Sequence, residues 1–258
     1  MKNQDLFRPI SYVKAAKYIK NLVDQGIGES FENQIGGVFK AEKLNKWRKK
    51  DKFSGYMFWY CIEEGDSKPF IAIERRADNF KYSDSDILSY SPNFPLVHAG
   101  GLRVSQDFVI KKFEKSDSLE EEVYNFITSD TGKAEKGFTR KDASKIKKWN
   151  ENFLTQPKID GNQKVGFAYF SYSEDNSDPN QKFIDKFFDQ GKEDVAYIRY
   201  YFGYDTDQPK TDPNKIRLIL VPVAEDGRNF EMKDLKEGFL EDGPTLLQYS
   251  WPPKPNTI

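Results

Sequence analysis

The sequence predicts an α+β fold of two tandem, duplicated modules, each with helices packed on a small antiparallel sheet. Apolar residues recur with a helical period at two places, a strand-like hairpin follows each place, and aromatic residues make up 15% of the 258 residues. Because one aromatic ring buries about 150–250 Å², this aromatic content fills a core although only 37% of the residues are hydrophobic.

The first helix of each module is predicted from its periodicity. Residues 11–23 open with Ser11, a residue type that caps helix N-termini. Their apolar residues follow the helical period: Val13, Ala16, Ile19, Leu22 and Val23. Residues 139–149 repeat the order and spacing of four residues of the first helix. The matching sets are Lys14, Ala16, Ile19, Lys20 and Lys141, Ala143, Ile146, Lys147.

A second helix and a hairpin follow in each copy. The second helices are predicted at residues 40–50 and 179–190. The hairpins, an aromatic strand followed by an aliphatic one, span residues 55–80 and 196–230. The second copy has an extra strand at residues 165–175, where the first copy has only a Gly-rich stretch.

The boundary between the modules is predicted near residue 133. Residues 129–137 have the polar, Gly-containing composition of a linker. The expected modules are therefore residues 1–132, with an inserted strand and acidic helix, and residues 133–258, with a Pro-rich tail. We expect Trp251 in that tail to pack on the second module.

Charge and cysteine content exclude several classes of protein. Lys and Arg number 40, Asp and Glu 41, and the net charge of −1 disfavours dedicated nucleic-acid binding. A single cysteine, Cys61, excludes an intramolecular disulfide and is expected in the core. No apolar run has the length of a membrane span and no signal peptide is recognisable, so a cytoplasmic protein is expected.

Three parts of the second copy carry a family resemblance: residues 198–205, residues 219–230 and the Trp-Pro-Pro sequence at Trp251. They resemble a group of small proteins common in Bacteroidetes genomes. The resemblance covers about 60 residues of the second copy and the first copy only faintly. This chain departs from that group in having two modules and no cysteine near the tail. The resemblance implies no activity and no catalytic residue.

The only histidine, His98, lies in a Gly-rich stretch. Gly100 and Gly101 permit a tight turn, and His98 with Arg103 would hold an anion. An enzyme or binder of a small anionic ligand at these residues is one alternative function. A turn histidine without a ligand is the competing interpretation, and no known catalytic motif occurs in the sequence.

No metal site and no cofactor are predicted. One histidine and one cysteine do not supply the usual ligands of a structural transition metal. Asp205, Asp207 and Asp212 share one loop, but they lack the spacing of an EF-hand and are ordinary turn formers.

Two basic helices suggest a further alternative function. Lys and Arg residues surround Trp47 in the first copy, and residues 133–148 precede Trp149 in the second. Lys and Arg side chains that contact the phosphates, beside a Trp ring on which a base stacks, would bind nucleic acid. The competing interpretation is an ordinary charged helix face, with Leu44 and Trp47 turned to the core.

The leading hypothesis is a non-enzymatic binding or scaffold protein whose partner is another protein. Aromatic and other residues alternate imperfectly along residues 56–60 and 197–204. Aromatic rings should therefore lie on both faces of each sheet. Exposed Tyr and Trp rings are typical of binding surfaces. The alternative is that both faces are covered within the chain. The candidate interaction residues are Trp47, Trp59, Tyr197, Tyr200, Tyr201 and Trp251.

Overall fold

A computed structural model describes residues 8–31, 35–50, 53–77, 96–98, 117–129, 133, 139–140, 143–159, 166–171, 184–185, 187–190, 193–207, 214–230 and 246–249. The helices are α1 (Tyr12–Asp24), α2 (Ile27–Ser30), α3 (Glu42–Arg48), α4 (Leu119–Ser129) and α5 (Ala143–Leu154). The strands are β1 (Arg8–Ile10), β2 (Gly36–Lys40), β3 (Phe53–Ile62), β4 (Pro69–Ala77), β5 (Leu96–His98), β6 (Thr139–Arg140), β7 (Phe167–Ser171), β8 (Asp189–Gln190), β9 (Glu193–Asp194), β10 (Tyr197–Tyr204), β11 (Ile216–Val223) and β12 (Leu246–Tyr249). This mixture of helices and antiparallel strands confirms the predicted α+β class.

Helix α1 begins where the sequence predicts it. The Ser11 side chain accepts a hydrogen bond from the Lys14 backbone N–H at 3.2 Å, which caps the first turn. One stripe of the helix is buried: Tyr12, Ala15, Ala16, Tyr18, Ile19, Leu22 and Val23. Val13, predicted to face the core, is 59% exposed. The reason is geometric, because Tyr12 and Ala16 define the buried stripe and Val13 falls on the opposite side of the helix.

The second helices differ from their predicted bounds. Helix α3 covers less than the predicted residues 40–50, because Lys40 still belongs to β2. In the predicted helix at residues 179–190, residues 184–185 and 187–188 are helical, and β8 follows them. Strand β2 also occupies part of the Gly-rich stretch of the first copy. A strand therefore precedes the helical residues in both halves, β2 in the first and β7 in the second.

In the part of the chain that the structure describes, the strands form two five-stranded antiparallel sheets and a two-stranded ribbon. The order in sheet 1 is β1-β12-β11-β10-β2, and the order in sheet 2 is β6-β5-β4-β3-β7. The ribbon pairs β8 with β9. Sheet 1 therefore takes its edge strands from the first half of the chain and its central strands from the second, and sheet 2 does the reverse. This pairing corrects the prediction that each module contains its own sheet, and the boundary between residues 132 and 133 does not separate the sheets.

The two sheets pack face to face through aromatic side chains. Tyr60 of sheet 2 meets Phe202 of sheet 1 edge to face, with ring centroids 5.2 Å apart. The ring centroids of Phe39 in β2 and Phe58 in β3 lie 6.5 Å apart. Side chains alternate along each strand, so the residues between these rings point to the outer faces of the sheets.

Helices cover those outer faces. Helix α5 places Ile146 against a cluster that contains Met57, Trp59 and Cys61 of β3. Helix α1 packs on β10 in sheet 1, and α4 packs beside α1. The described elements thus stack as helix, sheet, sheet and helix. Cys61 is buried, as expected, and burial raises the pKa of its thiol.

Close contact between α1 and β10 depends on Gly203. A Cβ atom at this position would lie 2.8 Å from the Tyr18 Cβ and 3.2 Å from the Ile219 Cδ1. Gly203→Ala is therefore expected to lower the free energy of unfolding by about 1–3 kcal/mol, because α1 must shift outward. Urea denaturation followed by circular dichroism measures this change. An unchanged midpoint would contradict the close packing of α1 on β10.

Candidate functional site

An open cleft lies at one end of sheet 1, where β2 passes into α3, β10 begins and β11 has just ended. Its volume is about 540 Å³. We call it the acidic cleft and define it by its lining residues: Lys40, Glu42, Asn45, Asp194, Val195, Ala196, Tyr197 and Glu225. Lys40, Glu42 and Asn45 belong to the first half of the chain, and the other lining residues belong to the second.

Backbone hydrogen bonds fix the floor of the acidic cleft. The Ala196 carbonyl accepts from the Ala41 N–H at 2.9 Å, and the Ala196 N–H donates to the Val223 carbonyl at 2.9 Å. Tyr197 stands directly opposite Lys40 on one side and Val223 on the other. The floor is thus continuous with the ladder of sheet 1, which makes it a rigid base for the side chains above.

Carboxylates dominate the charge of the acidic cleft. Glu42, Asp194 and Glu225 are exposed, and they line the cleft together with one lysine, Lys40. Glu42 pairs with Lys46 one helical turn away. A hydrogen bond from Lys46, together with its positive charge, holds the pKa of Glu42 below its usual value. Among the described residues, Asp194 and Glu225 have no partner cation, so the cleft presents a negative field to solvent.

Tyr197 adds an aromatic ring to these charges. Its side chain is half-buried in the cleft. Burial and the nearby Glu225 carboxylate raise the pKa of the Tyr197 phenol above its usual value. The phenol therefore stays neutral at physiological pH and keeps its proton for donation.

An arginine beside the acidic cleft bonds one lining residue, Asn45, and two aspartates outside the cleft. Arg48 of α3 bonds Asp185 at 2.6 Å and Asp189 at 3.1 Å, and it lies over the Phe188 ring. It also donates to the Asn45 side chain at 2.8 Å. The Arg48 side chain is only 10% exposed and Asp185 is 34% exposed, so this bond is shielded from water better than a surface ion pair, whereas Asp189 is an exposed partner. Both ion pairs join α3 to the segment that leads into β8.

This network changes the interpretation of the first basic helix. Arg48 is paired with carboxylates, Lys46 is paired with Glu42, and Lys43 lies 5.6 Å from the centre of the Trp47 ring. Trp47 itself is buried, at 4% exposure. The indole therefore packs in the core and does not present a face on which a base would stack.

The predicted interaction surface is corrected in the same way. Trp59, Tyr200 and Tyr201 are buried, because the opposite sheet covers one face of each strand and helices cover the other. Trp47 is buried on the core side of α3. Trp59 also donates to the Glu74 carboxylate at 3.0 Å. Of the predicted interaction residues, Tyr197 is the one that lines the acidic cleft. Trp251 lies outside the described residues.

The predicted anion site is described only at His98. This residue belongs to β5, where it stands opposite Ala72 of β4 and Thr139 of β6. Gly100, Gly101 and Arg103 lie outside the described residues. A ligand at this loop stays a prediction.

The aspartates of the β10–β11 loop bond to neighbouring protein groups. Asp205 accepts from the buried Arg217 at 3.3 Å. Asp207 accepts from Lys17 at 3.2 Å and from the Tyr18 hydroxyl at 3.3 Å, which fastens the loop to α1. Asp212 lies outside the described residues. Within the described ranges, no three His, Cys, Asp or Glu side chains are grouped so that they would hold a metal ion.

Sequence reasoning missed most of the acidic cleft. Glu42, Asp194 and Glu225 are ordinary surface residues in their local sequences, and they lie far apart along the chain. A lone carboxylate beside a strand or at the start of a helix is common, so no local pattern marks them. Only strand pairing brings them to one end of sheet 1.

Comparisons with known proteins identify no relative of this chain. No protein-family model matches it, and no curated protein or solved structure is significantly similar to it. In the part of the chain that the structure describes, no helix combines the length and apolar character needed to cross a membrane.

Proposed function

We propose that this protein binds a partner protein through the acidic cleft, and that the partner presents Lys or Arg side chains to it. The observation that carries the proposal is the charge of the cleft. Two of its carboxylates, Asp194 and Glu225, have no partner cation among the described residues, and both line an open concavity. A cationic side chain entering the cleft would supply that missing charge.

The dimensions of the cleft also support this proposal. Its volume of about 540 Å³ falls within the range of roughly 300–1,000 Å³ that is usual for ligand sites. The half-buried Tyr197 ring offers an apolar surface for the methylene groups of Lys or Arg, while the carboxylates accept hydrogen bonds from the charged end. The fixed floor lowers the cost of ordering the site when a partner binds.

The strength of such binding follows from the exposure of the carboxylates. Exposed ion pairs contribute about 0.2–1 kcal/mol each, so the charges act mainly on association rate and on the choice of partner. We therefore expect micromolar or weaker affinity for a short cationic peptide. Binding should also weaken steeply as salt is added, since the Debye length falls to about 8 Å at 0.15 M ionic strength.

Charge reversal at Asp194 and Glu225 tests the proposal. A fluorescein-labelled decalysine peptide is titrated with the full-length protein at low salt, and fluorescence anisotropy reports binding. The double variant Asp194→Lys/Glu225→Lys is expected to weaken binding by tenfold or more, because repulsion replaces two attractive contacts. A difference of tenfold corresponds to about 1.4 kcal/mol.

A matched control keeps the net charge equal. Glu121 lies exposed on α4 and does not line the cleft. Replacing Glu121 and Glu120 with lysine makes the same change in net charge away from the cleft, so its affinity should stay near that of the unmodified protein. If both double variants weaken binding equally, the peptide responds to net charge alone and the cleft is not the site.

A further inference from the structure

We infer that the two halves of this chain are a covalently linked, strand-exchanged pair, in which each half is completed by a strand–helix–strand segment of the other. The donated segment of the first half is β1-α1-β2, and that of the second half is β6-α5-β7. Neither half then folds as an independent domain. The inference does not depend on what the acidic cleft binds.

The strand order carries the inference, because the exchange is reciprocal at every position. In sheet 1, β1 and β2 of the first half occupy the edges around β12, β11 and β10 of the second. In sheet 2, β6 and β7 of the second half occupy the edges around β5, β4 and β3 of the first. Each strand thus has a counterpart at the same place in the other sheet. Reciprocal exchange of identical segments is the arrangement found in domain-swapped dimers.

The exchanged helices pack in equivalent ways. Helix α1 of the first half covers β10 of the second, and α5 of the second half covers β3 of the first. Each helix also bonds the end of the strand that it covers. The Asn21 amide donates to the carbonyl of Tyr204, the last residue of β10, at 3.3 Å. The Asn152 amide donates to the carbonyl of Ile62, the last residue of β3, at 3.1 Å.

The helix α5 has one additional contact to the half that receives it. The buried amide of Asn150 donates to the Tyr60 carbonyl at 2.7 Å and to the Gly166 carbonyl at 2.6 Å. Tyr60 lies in β3 and Gly166 immediately precedes β7. One side chain from α5 therefore holds the donated strand and the receiving strand together.

Separating the halves would expose much of the core. Phe39 of the donated β2 packs 6.2 Å from Tyr200 of sheet 1, and Phe170 of the donated β7 packs 5.1 Å from Phe58 of sheet 2. Removing the donated segments would uncover these rings and leave strand edges without their ladder partners, which favours aggregation. The peptide link between the halves opposes this separation, because tethering makes their association an intramolecular event.

A cysteine pair tests the exchange in the intact chain. Lys40 of β2 and Tyr197 of β10 stand directly opposite each other across the exchanged boundary. Directly opposite residues of antiparallel strands have Cα atoms about 4.5–5.5 Å apart, which lies within the roughly 4.4–6.8 Å that a disulfide spans. Lys40→Cys/Tyr197→Cys should therefore form a disulfide under mild oxidation. Thiol titration of the oxidised and then denatured chain should find two fewer thiols than in the reduced chain. The single variant Lys40→Cys is the control, because its other cysteine, Cys61, is buried.

Cutting the chain supplies the second readout. A protease site inserted between Gly132 and Lys133 is cleaved in the folded double-cysteine protein. Under reducing conditions, where no disulfide links them, we expect the two fragments to elute together at the size of the intact chain. After oxidation, we expect the disulfide to join them on a non-reducing denaturing gel. Separate elution as two folded monomers would overturn the inference. Failure of the opposed cysteines to link in the intact chain would also overturn it.

Discussion

Replacing Phe202 with alanine is expected to lower the free energy of unfolding by about 3–5 kcal/mol. The Phe202 side chain is fully buried where several elements meet. Its ring centroid lies 5.2 Å from that of Tyr60, 5.9 Å from that of Phe31 and 6.0 Å from that of Phe153. These rings come from sheet 2, from the end of α2 and from α5. Since separate elements line the cavity that alanine would leave, they cannot all close around it.

Urea denaturation measures this effect, and an exposed aromatic residue provides the control. Tyr124 on α4 is 38% exposed, and Tyr124→Ala should change the free energy of unfolding by no more than about 0.5 kcal/mol. The contrast tests whether the sheets share one core. A similar small loss for both variants would mean that the contact between the sheets contributes little to stability.

The second large effect is expected at the buried ion pair of sheet 1. Asp205 and Arg217 have side chains that are each 2% exposed, and they bond at 3.3 Å. Asp205→Ala leaves the Arg217 guanidinium in the interior without its carboxylate. Breaking a buried pair in this way costs about 3–5 kcal/mol. Arg217 would keep its hydrogen bond to the Asn214 carbonyl at 2.5 Å, but a neutral carbonyl does not replace the lost charge.

Two further variants separate charge from shape at this pair. Asp205→Asn preserves the size of the side chain and its acceptor for the Asp207 backbone N–H, while the negative charge is lost. Asp205→Leu/Arg217→Met removes both charges and should recover most of the stability, because two apolar side chains have no charge to desolvate. If the double replacement is as unstable as Asp205→Ala, the uncompensated charge is not the cause of the loss.

The secondary structure was largely predictable from local sequence. The periodic apolar residues of α1 and the paired runs of β3–β4 and β10–β11 lie where they were expected. The helix predicted at residues 139–149 is shifted: α5 runs from Ala143 to Leu154, because Thr139 and Arg140 pair in the sheet as β6. Local period is informative because a helix or a strand must turn one repeating face to the core. Duplication of the two halves stays a prediction, although the matching order of elements in both halves is consistent with it.

The role of the aromatic residues was not predictable from the same pattern. Alternation shows that Trp59 and Tyr60 point to opposite faces of β3, but it does not show what covers each face. In the structure, α5 covers Trp59 and sheet 1 covers Tyr60. Rings that were expected to bind a partner are therefore part of the core, and the acidic cleft, with ordinary surface carboxylates, is the candidate site.

The sequence by itself determined the capped start of α1 at Ser11, the hairpins β3–β4 and β10–β11 and the α+β class. Only the tertiary structure decided which other strands pair, and with them the exchange between the halves and the residues of the acidic cleft. The physical reason lies in the backbone. Strands pair through N–H and C=O groups that are common to almost all residues, so the local sequence does not specify which strand pairs with which. Pairing is instead selected by side chains far apart in the chain, such as Phe39 with Phe58 and Tyr60 with Phe202, whose burial is favourable only in the assembled fold.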